Sequence, residues 1–326
     1  MIKKTVVIIL FILLIAGFFY QKTLTRLYQG FQLNQASKER AKYYALQGNI
    51  QIQDITEKLI SDKSIPDNLK QPLINGERRI VIFKYRSGAD DVAGYFSYIT
   101  SGSHPVILFL RGGNGFFGIM RPNNRFSFLK GYNIVGTLYR GNIYEGKDDF
   151  GGKDIQDVEN LIKYFPKLAD FTHVKLQAPF DIMGVSRGAM EMFAALSRSS
   201  YVKASISHAI SVSGNLDLQA SMNNRPEMKY LFINQFKHSE EKNFEEWIKA
   251  RNPVDNVKYL PASLKVLLIY GLSDNRVSLE EQQNFKRALD KQGIASQLVT
   301  IPGADHGLDD HFEDVEKIVI NFMKKY

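Results

Sequence analysis

The 326-residue chain has no cysteine. Disulfide frameworks, thiolate zinc sites and cysteine nucleophiles are therefore excluded. It also lacks internal repeats, low-complexity tracts and any dense run of one charge. Basic residues outnumber acidic ones by 42 to 34, for a net charge of +8, but they are scattered and no nucleic-acid motif accompanies them. An anionic membrane surface suits such a charge, and nucleic acid is not an expected partner. With 44% hydrophobic and 23% charged residues, the composition is that of a folded globular chain and not of a disordered one.

Long apolar runs are scarce too, and the longest, Val6 to Phe19, follows Lys3 and Lys4. Its length lies between a signal-peptide core and a full membrane span. No small-residue cleavage pair follows it, because Phe18, Phe19 and Tyr20 stand at that place. The expectation is an uncleaved membrane-anchor helix over residues 1–20, with the lysines inside and the rest outside the cytoplasm. The alternative is secretion after signal cleavage, and Lys22 and Arg26 on the far flank weaken the orientation argument. Residues 21–76 are polar, with Leu24, Leu27, Tyr28 and Phe31 at helical spacing before the charged "SKERAK". They read as a juxtamembrane helix and tether.

From residue 77 the pattern changes. "RRIVIFKYRSG" and "DVAGYFSYI" read as an antiparallel hairpin. Short apolar runs follow at 105–110, 132–139, 180–185, 206–214, 265–271 and 296–303, mostly alternating with helix-like stretches. Asp154 opens one such helix, whose Ile155, Val158, Leu161, Ile162 and Phe165 share a face. This order predicts one α/β domain over 77–326, a mostly parallel central sheet with helices on both faces.

Chemistry in such sheets sits just past the carboxyl ends of the strands. Past 180–185 stands Gly184-Val185-Ser186-Arg187-Gly188, a G-x-S-x-G in which a serine sits on a sharp strand-to-helix turn. Past 265–271 comes Asp274, and past 296–303 come Asp305 and His306. The order serine, acid, histidine is that of an α/β-hydrolase triad. Taken singly, Asp274 reads equally as a turn residue and His306 as part of a surface loop pair. Together they designate Ser186, Asp274 and His306 as catalytic candidates, with Asp274 and not its neighbour Asp305 orienting the imidazole. The backbone N–H of Arg187 and one from Gly112 or Gly113, in the loop after 105–110, are the candidate oxyanion hole. Arg111 at the mouth of that loop is a candidate to pair with a substrate carboxylate or a nearby acid.

Rival readings are available. Gly113 to Gly118 matches G-x-G-x-x-G, with Arg140 placed for a dinucleotide phosphate, but Pro122 interrupts the required helix. Asp148, Asp149, Asp154 and Asp157 lack calcium-loop spacing and read as helix-start and solvated charges. The aromatic segment between Asn215 and Val257 reads equally as a pocket cap or as helices packed on the core.

Several stretches resemble the prolyl oligopeptidase family of serine peptidases, in its dipeptidyl aminopeptidase and acylaminoacyl peptidase-like branch. They are "YNIVGTLYRGNIYEGKDDFGGKDIQDVENLI", "IMGVSRGAM", "ARNPVDNV", "LLIYGLSDNRVS" and "IPGADHGL". The resemblance covers about residues 77 to 326. It implies an α/β-hydrolase fold, a serine-type peptidase with Ser186 as nucleophile, Asp274 as acid and His306 as base, no cofactor or metal, and a small peptide or ester as substrate. Two departures bear on specificity. The stretch before residue 77 is too short for the β-propeller that relatives often carry, and Arg111 stands where they often have His or Tyr. A carboxylesterase with the same triad is the alternative, and a catalytically silent membrane-tethered protein on this fold is the second.

Overall fold

The computed structural model describes residues 35–115 and 117–326. The expected anchor over 1–20 and the apolar positions Leu24 to Phe31 lie outside these residues, and no helix among the described residues is long and apolar enough to cross a membrane.

Nine strands form one sheet: β1 (Ile52–Asp54), β2 (Arg78–Ser87), β3 (Asp90–Ile99), β4 (Val106–Leu110), β5 (Asn133–Thr137), β6 (Phe180–Val185), β7 (Ile206–Val212), β8 (Lys265–Gly271) and β9 (Ser296–Ile301). Their spatial order is β1-β2-β3-β5-β4-β6-β7-β8-β9. β1, β2, β3 and β5 pair antiparallel in turn, and every pairing from β5 across to β9 is parallel. The expected hairpin is β2–β3, in register from Arg78 opposite Ile99 to Ser87 opposite Asp90.

The central strands are buried on both faces, which is why they read as unbroken apolar runs. In β4, Leu108 and Leu110 point into one core layer and Ile107 and Phe109 into the other. The first layer is closed by the helices Ile155–Thr172, Arg187–Arg198 and Leu279–Lys291, through Val158, Leu161, Phe193 and Phe285. The second is closed by the C-terminal helix Phe312–Lys325, through Val315, Val319 and Phe322, and by residues from the segment before β2. Ser278 and Glu281 form a reciprocal capping box that fixes the start of Leu279–Lys291.

The tether expected over 21–76 is corrected for its described part. Residues 35–41 are helical, β1 adds an edge strand, and Tyr44, Ile55, Leu59, Ile65 and Leu73 are buried in the second core layer. These apolar residues are irregularly spaced, so no single helical or strand period reveals them in the sequence. Only the sheet face that receives them shows their use.

Candidate active site

The order β5-β4-β6 places β4, the first parallel strand, between two later ones. A crevice at the carboxyl ends of neighbouring strands whose connections leave in opposite directions is where ligands bind in such sheets. The loops after β4 and β6 meet there.

β6 ends at Val185, and Ser186 takes φ 54° and ψ −120° before the helix Arg187–Arg198 begins. A non-glycine residue held at positive φ costs of order 1–3 kcal/mol and persists only where its surroundings fix it. Here Ser186 N–H donates to the Val212 carbonyl at 2.9 Å, and its own carbonyl accepts from Ala189 at 3.0 Å and Asn215 at 3.2 Å. Any side chain at Gly188 would overlap the Leu110 carbonyl, so helix and β4 can close together only with glycine there. A Cβ at Gly112 would lie 3.1 Å from that of Ser186, which places this glycine backbone directly beside the serine.

His306 reaches the same place from the loop after β9. Its Nδ1 lies 2.8 Å from Asp274 Oδ2. The other oxygen, Asp274 Oδ1, accepts from the backbone N–H groups of Arg276 at 2.7 Å and Val277 at 3.0 Å. Burial acts to raise the Asp274 pKa, but the His306 contact and these two N–H groups outweigh it and hold the carboxyl below its ordinary value. Asp305 instead closes its own turn, accepting from Gly307 and Leu308 N–H at 3.0 and 3.1 Å. With Nδ1 on Asp274, the histidine has Nε2 left for a hydroxyl. Ser186 Oγ donates to Asn215 Oδ1 at 3.5 Å, a long bond that a turn of the side chain would exchange for the imidazole.

Ser186, His306, Gly112, Gly113, Arg187 and Asn215 line one cavity of about 560 Å³. Its apolar wall comes from Phe117, Met120, Phe150, Met228 and Leu231. The segment between Asn215 and Val257 is thus both things the sequence left open. Met228 and Leu231, on the helix Pro226–Lys237, cap the cavity, while Phe232 and Trp247 pack with Phe150 and Met190 into a separate small core. Asn215, Ser37, Arg40, Arg225 and Arg276 were not singled out from the sequence. Arg276 lies two residues past Asp274, and a scan for side chains flanking the acid would have found it. Arg40 sat in a stretch read as tether and carried no signal.

The candidate substrate residue Arg111 is placed elsewhere. It is 1% exposed and does not line the cavity. Its guanidinium donates to the carbonyls of Gly112 (2.9 Å), Phe117 (3.2 Å), Gly115 (2.9 Å) and Leu138 (3.3 Å) and lies over the Tyr139 ring. Burial and the nearby charge of Arg187 pull its pKa down to about 10. With Nη1 and Nη2 donating to four carbonyls, it braces the glycine loop from behind, and this corrects the expected contact with substrate.

Arg187 offers its side chain for a related task. It pairs with Asp148 (2.5 Å), Asp154 (2.8 Å) and Glu191 (2.7 Å), and donates to the Gly113 carbonyl at 3.2 Å and Asn114 Oδ1 at 3.0 Å. Burial would lower its pKa, but the surrounding carboxylates hold it well above the ordinary value. The aspartates expected as solvated charges are therefore corrected. Asp148 and Asp154 neutralise Arg187, and the buried Asp157 pairs with Arg140 at 2.7 Å. That pairing, together with the absence of a helix directly after Gly118, removes the dinucleotide reading. Among the described residues no group of His, Asp and Glu is placed to hold a metal ion.

The sequence profile of the prolyl oligopeptidase family matches residues 130–326, more than half of the chain. The acylamino-acid-releasing enzyme 1 of Oryza sativa subsp. japonica is 23% identical over 246 residues, which are 69% of this chain and 30% of that protein. Acylaminoacyl peptidase from Pyrococcus horikoshii superposes with a TM-score of 0.61 at 21% identity, over 76% of this chain and 42% of that one. An esterase from Pyrococcus furiosus superposes with a TM-score of 0.56 at 20% identity, over 80% of this chain and 93% of that one. The chain thus spans less than half the length of the peptidases it matches, and the structural likenesses concern the α/β-hydrolase fold. By the extent of the profile match, the chain belongs to the prolyl oligopeptidase family.

Proposed function

We propose that this chain is a serine hydrolase of acyl bonds, of serine-peptidase type, with Ser186 as nucleophile, His306 as general base and Asp274 as its orienting acid. The observation that carries the reading is the His306–Asp274 pair at 2.8 Å opening on the cavity that also holds the strained Ser186. In this mechanism Ser186 Oγ gives its proton to His306 Nε2 and attacks the acyl carbon. The backbone N–H of Arg187 and one from Gly112 or Gly113 receive the developing oxyanion. His306 then protonates the departing amine or alcohol, and water, deprotonated by the same imidazole, releases the acyl group. The adjacent helix N-terminus favours the negative charge at this point.

Covalent labelling tests it. A fluorophosphonate probe is expected on Ser186, and labelling that persists in Ser186→Ala overturns the assignment. Absence of labelling in the wild type favours the silent-fold alternative.

The esterase reading uses the same triad on the same fold and differs in the bond that is cleaved. Side-by-side rates on peptide amides and aryl esters separate the two. We also propose that residues 1–20 tether the protein with its catalytic domain outside the cytoplasm, on the strength of Lys3 and Lys4 before the apolar run. The full-length chain is then expected in the membrane fraction with its N-terminus intact. A soluble form starting near residue 20 overturns the tether.

A further inference from the structure

Arginines are the permanently charged side chains that line the cavity, beside its apolar wall and the neutral polar side chains of Ser37, Asn114 and Asn215. Arg40 comes from the helical segment before β1, Arg225 from the start of the capping helix and Arg276 from the loop that carries Asp274. Three elements far apart in sequence thus bring guanidinium groups to one cavity, and among the described residues no Asp or Glu lines it.

Their existing bonds leave donors over. Arg40 donates to the Ile119 carbonyl at 3.4 Å, and Arg276 lies 6.0 Å from the Phe117 ring centre. Neither is in an ion pair with a described residue. Arg225 donates to the Arg276 carbonyl at 2.6 Å and pairs with the exposed Glu227 at 3.1 Å. The fourth arginine at the cavity, Arg187, is matched by Asp148, whose pKa its charge holds low, while burial raises those of Asp154 and Glu191, so the cluster adds little net charge. Arg40 and Arg225 are half-buried and Arg276 is exposed, and Glu227 on Arg225 is the one carboxylate paired with any of the three among the described residues. An anion that accepts from such a group of guanidinium ions is stabilised by it. A free substrate amine would meet the opposite situation, positive charge with no carboxylate to receive it.

We propose that the substrate of this site carries a carboxylate, held by Arg40, Arg225 and Arg276, close to the acyl bond that Ser186 attacks. The inference rests on the hydrolase reading above and deepens it by naming the substrate class.

Two matched pairs of aryl esters test it. An aryl hydrogen glutarate against its methyl ester puts the charge on the acyl side, and a 4-carboxyphenyl pentanoate against its 4-carbamoyl analogue puts it on the leaving group. At least one charged member is expected to exceed its neutral partner in kcat/KM by about tenfold or more, mainly through KM, as charged hydrogen bonds warrant. That ratio is expected to fall with added salt and in Arg225→Gln and Arg276→Gln. Ratios near one for both pairs, in protein that the fluorophosphonate labels at Ser186, overturn the inference and leave the hydrolase reading standing. If Ser186 is not labelled, calorimetry decides. Glutarate is then expected to bind the wild-type chain and not the triple Arg40→Gln, Arg225→Gln, Arg276→Gln variant, and equal binding by both, or by neither, overturns the inference.

Discussion

Two histidine–carboxylate pairs of nearly identical geometry stand at opposite ends of the same sheet. His306 Nδ1 meets Asp274 at 2.8 Å, and His208 Nδ1 meets Asp181 at 2.7 Å. Asp181 is the second residue of β6 and Ser186 follows the last, so roughly 17 Å of strand separates them at about 3.3 Å per residue. At the carboxyl end the imidazole opens on a cavity with a strained serine and a glycine loop. At the other end it packs edge-on against Phe322. The pair itself is thus common property. What makes one of them a candidate for catalysis is the company the fold supplies, above all the meeting of the β4 and β6 loops.

The sharpest way to break this comparison is to remove each acid in turn. Asp274→Asn is expected to lower kcat by about 10⁴, by analogy with triad acids, while Asp181→Asn changes it by less than about twofold and costs about 1 kcal/mol of stability. Steady-state kinetics and denaturant melts of both variants check this. Equal losses of kcat would show that the difference in surroundings has been misread.

The two buried arginines behind the glycine loop extend the comparison. Arg187 is held by three acidic side chains, of which Asp148 is kept ionised while burial raises the pKa values of Asp154 and Glu191, and Arg111 is held by backbone carbonyl dipoles. Arg187→Met strands buried negative charge and is expected to destabilise the fold by about 3–5 kcal/mol. Arg111→Met leaves carbonyls without donors and is expected to cost about 1–3 kcal/mol. Urea melts at neutral pH rank the two, and a reversed order would mean that the carbonyl dipoles carry more than the carboxylates.

The smallest effect is in pH dependence. Burial raises the Asp181 pKa despite His208, whereas Asp274, with two backbone N–H donors besides its imidazole, is held low against its burial. A depressed carboxylate contributes stability that is present above its unfolded pKa of about 3.9 and is lost as pH falls through the folded value. A raised one contributes stability that is present below about 3.9 and is lost as pH rises through the folded value. Between acid and neutral pH, the wild type is therefore expected to gain in Tm relative to Asp274→Asn and to lose relative to Asp181→Asn. Slopes of the same sign would remove the electrostatic distinction between the ends of the sheet.

Much of this arrangement is legible in the chain itself. Five of the nine strands, β4 to β8, are short apolar runs because both their faces are covered, and the β2–β3 hairpin shows as two strand-like stretches around Gly88. Ser186 announces its turn by Gly184 and Gly188, because no other residue lets the strand and helix close. Asp274 and His306 are found by looking past the strand ends. Such signals are local, and local sterics and burial write them into neighbouring positions.

Other features depend on residues that only folding brings together. Nothing near Arg111 in sequence tells that its guanidinium turns inward to Leu138 and the loop carbonyls, or that Asp148 and Asp154 surround Arg187 across more than thirty positions. Tyr44 and Ile55 follow no helical or strand period, yet the open face of the sheet takes them in and makes core of an apparent tether. His208 and Asp181 carry the same chemistry as His306 and Asp274, and their meeting depends on the register that sets Asp181 opposite His208 on neighbouring strands. Local sequence therefore determined the strands, the elbow and the reactive residue types. Which charges are neutralised, which arginines face the cavity and which histidine shares that cavity with the serine were decided by tertiary packing, because each depends on desolvation and distance between elements that are remote in the chain.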